Sequence, residues 1–247
     1  MRYYLFIILT LVLTALLGYG TLMTNRLLRT WTPDRNLLLL PQENALRIVL
    51  ILAAMGLGVL SGLPATQLGW DWPHVRRDLL CGTAVGVGMA VVFRDSTRRL
   101  LGTRGARFYS DRLLAHIIPR NGREFMGVTI AMLSVALMEE LLFRSLLLGG
   151  LEPLLPRWLL LAATAVLFGA LHSPQGLWGM AGAGLAGLLF GLLFFWGGTL
   201  LLPWTAHYVT NMVQIIMAKQ VGAPRDQAMK NSSVTDSSTG DEAGNSS

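Results

Sequence analysis

A single cysteine, Cys81, stands among the 247 residues, which excludes an intrachain disulfide and any cysteine-based metal cluster. Charge is also scarce. Asp, Glu, Lys and Arg make up 14% of the chain, against about 25% in an average soluble domain. That shortage excludes an ordinary water-soluble globule. What the chain has in quantity is apolar side chains, 53% of it. They come in blocks long enough to cross a hydrocarbon core, about 20 residues each. A formal net charge of +6 is compatible with a nucleic-acid partner, but the basic residues lie between the apolar blocks. That placement fits membrane topology and anionic headgroups, so membrane lipids are expected partners and nucleic acid is not.

The apolar blocks predict spans over roughly 3–23, 45–63, 79–93, 124–149, 158–173, 176–196 and 199–217, the third and fifth being short. The expected fold is an all-α polytopic membrane protein, a bundle of about seven (six to eight) transmembrane helices. Residues 1–217 form the membrane-embedded domain. Residues 218–247 form a cytoplasmic tail that is expected to be disordered, its last stretch, Asn231 to Ser247, being too polar to bury apolar area. The first span follows Arg2 like the core of a secretory leader, but no small-residue cleavage site precedes Thr21, and it reads as an uncleaved anchor.

The arginines set the expected orientation. Arg26, Arg29, Arg35, the Arg-rich 94–123 connection, Lys219, Arg225 and Lys230 fall on one side. Arg2, Arg76, Arg77 and Arg157 fall on the other. The positive-inside rule puts the N-terminus outside and the C-terminus in the cytoplasm, in the cell (plasma or inner) membrane. The 94–123 connection mixes arginines with Leu, Ile, Phe and Tyr, and reads either as an amphipathic helix in the headgroup layer or as a basic loop. Gly179, Ala183, Gly187 and Gly191, and also Gly82 and Gly86, recur at four-residue spacing, a pattern for close helix packing. The Asn-Ser-Ser sequons at Asn231 and Asn245 would be unused on the cytoplasmic side.

Chemistry is confined to a few polar residues inside the spans: Glu139, Glu140, Arg144, His172, His207 and Asn211. The two glutamates read as the only intramembrane carboxylates. A charged side chain at the bilayer centre costs roughly 3 kcal/mol on the mildest insertion scale, so such residues default to a functional site. Four residues apart on a helix, Glu140 and Arg144 share a face and can neutralise each other. Glu139 points about 100° away and lacks that partner. Desolvation disfavours the charged form of such a carboxylate, which suits a general base or acid. His207 and Asn211 repeat the four-residue spacing, as do Phe168 and His172. Each feature has a plainer reading: a Glu–Arg pair as structural glue, a histidine as an interhelical hydrogen bond, Phe168 as packing. Convergence of acid, base and amide on three spans of the C-terminal half favours a site.

At these residues the sequence resembles a family. Glu139-Glu140-Leu141-Leu142-Phe143-Arg144 matches the E-E-x-x-x-R motif of the CAAX-protease and bacteriocin-processing (Abi) family. Phe168 to His172 matches its F-x-x-x-H motif, and His207 to Asn211 its H-x-x-x-N motif. All three occur in the family's order over residues 124–217, and the N-terminal spans carry none. The resemblance implies an intramembrane endopeptidase acting on a membrane-associated or lipidated peptide or protein, of bacterial rather than eukaryotic type. Glu139 would activate a water with help from His172, while His207 and Asn211 would donate to the oxyanion, and Arg144 with Glu140 would support them. Two His and two Glu could compose a zinc site by residue type, but the spacing is not His-Glu-x-x-His. The reading prefers a glutamate mechanism with no metal and no cofactor. Two other classes stay open: a non-proteolytic scaffold or bacteriocin self-immunity protein, and a proton-coupled transporter, against which stands the lack of an inverted repeat. As drawn, Glu139 and His172 each lie about 22 Å from opposite faces, and meet only if helices tilt, break or start later.

Overall fold

Lipid cannot satisfy backbone N–H and C=O groups, so long apolar runs in one chain close their hydrogen bonds as helices. The computed structural model describes residues 1–30, 35–102 and 116–238. They form α1 (Arg2–Thr30), α2 (Pro41–Ser61), α3 (Val75–Leu101), α4 (Gly122–Glu140) with a π-helical continuation (Leu141–Gly149), α5 (Arg157–Leu171), α6 (Gly176–Gly197) and α7 (Leu201–Ser238). Every expected span falls on a helix, in order. The helices α1, α2, α3, α4 with its π continuation, and α6 are long and apolar enough to cross a membrane, whereas α5 has 15 residues. The chain is a polytopic helical membrane protein.

Local sequence explains the boundaries. Pro41 opens α2, where its missing N–H removes only an unpaired donor, and Gly62 closes it at φ 71°, a left-handed position that suits glycine. Asn121 caps α4 by accepting from Glu124 N at 2.9 Å, and the Glu124 carboxylate accepts from Arg120 N at 2.8 Å.

The third span differs from expectation. It covers 27 residues instead of stopping short at 79–93. Its flanking charges look like span limits in sequence, yet Asp78 is buried within the first turn and Asp95 pairs with Arg99 in the last. Residues 103–115 of the Arg-rich connection lie outside the described residues, as do residues 239–247 of the tail and its sequon at Asn245. The expected boundary at 217 is not a helix end, since α7 continues to Ser238.

Cross-links define two ends of the bundle. At the Arg2 end, Tyr3 Oη donates to Gly150 O (2.8 Å), Gln67 Nε2 to Gly149 O (3.0 Å) and Leu200 N to Gly69 O (2.7 Å). At the opposite end, Asn36 Nδ2 donates to Ile117 O (3.0 Å). The π segment is buried throughout, packed with Phe6 of α1, Ala54 of α2, Phe168 of α5 and Phe194 of α6. Small residues bring helices together: a Cβ at Gly169 would lie 2.7 Å from Met180 O, and one at Gly187 would lie 3.0 Å from Phe168 Cβ.

Candidate active site

The end of α4 and the start of the π segment present Glu139, Glu140 and Arg144. The Glu140 side chain is 0% exposed and both its oxygens are engaged. Its Oε2 lies 3.0 Å from Arg144 Nε, an ion pair without hydrogen-bond alignment, and its Oε1 lies 2.8 Å from His207 Nδ1. Arg144 Nη2 donates to Gly187 O of α6 at 2.9 Å. The rings of Phe143, Phe168 and Phe190 surround the guanidinium at 5.7, 5.1 and 5.4 Å. Each such contact adds about 0.5–2 kcal/mol, more when desolvated, which offsets part of the burial cost of the cation. The expected Glu140–Arg144 pair is therefore present, and it extends to His207.

His207, in the second turn of α7, is stacked on Phe190 (centroids 4.9 Å apart, 21°) and meets Phe168 edge-on (5.9 Å, 73°). Facing a carboxylate, Nδ1 is the donating nitrogen, an assignment that follows from this bond. Nε2 then faces Glu139 Oε2 at 3.6 Å. Glu139, expected to stand without a partner, thus has one across the helix interface. Its side chain is 21% exposed, although Oε2 itself is buried and accepts no hydrogen bond among the described residues. Of the two adjacent carboxylates, one is sealed and one is open.

His172 caps the C-terminal end of α5. Its Nδ1 lies 2.7 Å from Phe168 O, a carbonyl that can only accept. That fixes Nδ1–H and leaves the Nε2 lone pair of the neutral ring free. The ring lies against Phe168 (4.6 Å, 35°), so Phe168 joins His172, His207 and Arg144. Among the described residues no hydrogen bond links His172 to Glu139 or His207. Among the described residues Asn211, one turn beyond His207, donates only a weak bond to Met132 Sδ at 3.5 Å, with most of its amide uncommitted there.

The structure thus joins Glu139, Glu140, Arg144, Phe168 and His207 directly, His172 through Phe168, and sets Asn211 beside them on α7. Among the described residues no three His, Cys, Asp or Glu side chains are grouped to hold a metal ion. Sequence reasoning missed Asp78, a second fully buried carboxylate beside Glu140, whose one signal was its place in the first turn of an apolar helix. It also left Arg47 without a part. That buried cation of α2 donates to Leu38 O (3.2 Å) and Asn44 Oδ1 (2.9 Å), within electrostatic reach of Glu139.

Residues 121–213 match the family model described as Type II CAAX prenyl endopeptidase Rce1-like, which is a peptidase family. No curated protein and no solved structure matches the chain. The matched stretch takes in α4, the π segment, α5, α6 and the part of α7 bearing His207 and Asn211. The chain therefore carries, over residues 121–213, a domain of the Rce1-like CAAX prenyl endopeptidase family.

Proposed function

We propose that the protein is an intramembrane endopeptidase that hydrolyses a peptide bond in a membrane-associated or lipidated peptide or protein. The observation that carries this reading is the division between the two glutamates: Glu140 is sealed and paired with a basic side chain on each side, while Glu139 is open and faces His207. An open carboxylate in a low-dielectric surrounding is placed to take a proton from water, and a sealed one is placed to hold its neighbours.

In the proposed reaction Glu139 removes a proton from a water polarised by the free Nε2 of His172. The resulting hydroxide attacks the scissile carbonyl carbon, and the carbonyl electron pair moves onto oxygen. His207, held through Nδ1 by Glu140, turns Nε2 toward the site. Donation from Nε2 to the oxyanion requires a proton there as well as on Nδ1, and with both in place the charges of His207 and Arg144 balance the two carboxylates. Once Glu139 has taken the water proton, the group carries one net positive charge, which favours the oxyanion. Nε2–H and the Asn211 amide then donate to that oxygen. Glu139 returns its proton to the leaving amine as the C–N bond breaks. No step is assigned to a metal. We place the Arg2 end outside and the C-terminus in the cytoplasm of a plasma or inner membrane, from the arginine distribution.

Comparative peptidomics of membranes holding equal amounts of wild type or Glu139→Gln tests the reading. New peptide ends found only with wild type are expected. Identical peptide sets, with both proteins folded, would exclude it.

A further inference from the structure

Asp78 lies outside the matched domain and outside the proposed chemistry, yet it is 0% exposed at the Arg2 end of α3. Its Oδ2 accepts from Thr199 Oγ1 at 2.6 Å. Its Oδ1 accepts from Arg77 Nε at 2.9 Å and lies 2.8 Å from Arg77 Nη2. Arg77 in turn donates to Gly197 O at 3.1 Å and lies over the Trp196 ring at 5.4 Å. Thr199 is buried as well, and its Oγ1 accepts from Leu202 N at 3.4 Å in the first turn of α7. One carboxylate on α3 therefore grips the end of α6 and the start of α7. It also places a negative charge at the positive end of the α7 dipole.

The grip continues along the interface. A Cβ at Gly82 would lie 2.9 Å from Leu202 O, and one at Gly86 would lie 2.6 Å from Ala206 O. Thr210 Oγ1 donates to Gly86 O at 3.2 Å. The backbone of α3 thus lies directly on the turns of α7 that flank His207. His207 is about 12 Å along the helix from Thr199, at 1.5 Å per residue. A helix passes an axial shift or rotation at its first turn on to its second with little loss. The 3.6 Å approach of His207 Nε2 to Glu139 depends on that register.

We propose that Asp78 and Thr199 form a positioning latch that sets the depth and rotation of the helix carrying His207, so that the working unit of this peptidase includes α3 as well as residues 121–213. The proposal rests on the peptidase reading for its kinetic part only. A role confined to holding the fold together would lower stability and leave turnover per folded molecule unchanged.

The test uses the full chain in lipid nanodiscs, as Asp78→Asn, Thr199→Ala, the pair together, and Thr199→Ser. On a peptide cleaved by wild type, kcat should fall about 10- to 100-fold in both single variants, the effect of a displacement near 1 Å, with KM within about twofold. The double variant should be no worse than Asp78→Asn alone, and Thr199→Ser should restore turnover. The ring ¹⁵N resonances of His207, identified by their loss in His207→Gln, should move in Asp78→Asn and Thr199→Ala and stay in Thr199→Ser. Unchanged kcat, multiplying effects in the double variant, or unmoved His207 resonances would overturn the latch. If Asp78→Asn fails to fold, the Thr199→Ala and Thr199→Ser pair decides by the same readouts. If wild type cleaves nothing, the peptidase reading falls, and the His207 resonances alone decide the latch.

Discussion

Successive residues on a helix point about 100° apart, and at positions 139 and 140 that angle separates an open carboxylate from a sealed one. The separation yields opposite expectations for two near-isosteric changes. Glu139→Gln should lower peptide cleavage by about 10²- to 10⁴-fold, the range of general acid–base catalysis, with little change in thermal unfolding in detergent. Glu140→Gln should destabilise the fold by about 3–5 kcal/mol, because it leaves Arg144 buried without its counter-charge. Equal unfolding midpoints for the two variants would contradict this division. Asn211→Ala should reduce kcat by about 100- to 1000-fold with little effect on KM, as loss of an oxyanion donor does. The Glu140–Arg144 pair was legible in the sequence because it lies within one helical turn. The His207 partner of Glu140 was not, because 67 residues separate them and only the packing of α7 on α4 brings them together.

At the scale of the element, helix seams matter more than helix propensity. Gly86 and Gly88 are both in α3, but a Cβ at Gly86 would strike the α7 backbone while one at Gly88 meets nothing within 4 Å. Gly86→Ala should cost about 1–3 kcal/mol in unfolding experiments, as overpacking does. Gly88→Ala should be neutral or stabilising by up to about 1 kcal/mol, from helix propensity. The four-residue glycine spacing announced a close seam without naming the partner helix. Two other features were not legible. The π turns from Leu141 to Gly149 sit in an apolar run whose composition does not reveal a change of helical period. The full length of α3 was hidden because Asp78 looks like a span limit until Thr199, which neutralises its isolation, is in place.

For the whole molecule, apolar block length and the scarcity of charge carried most of the fold: each expected span has its helix. Orientation in the membrane rests on the arginines alone, and it is open to direct measurement. On a Cys81→Ala background, a cysteine at the exposed Leu154 should react with an impermeant maleimide in intact cells. A cysteine at the exposed Arg123 should react only after permeabilisation. The reverse pattern would invert the topology and with it the side from which substrate arrives. The central claim is that water activated by Glu139 cuts a peptide bond within this bundle. Its most direct test is cleavage by the purified, lipid-reconstituted protein in H₂¹⁸O, with a library of free and lipidated peptides. One ¹⁸O in the new carboxyl terminus of a product, absent with Glu139→Gln, is the predicted result. Equal labelling by Glu139→Gln would contradict the claim.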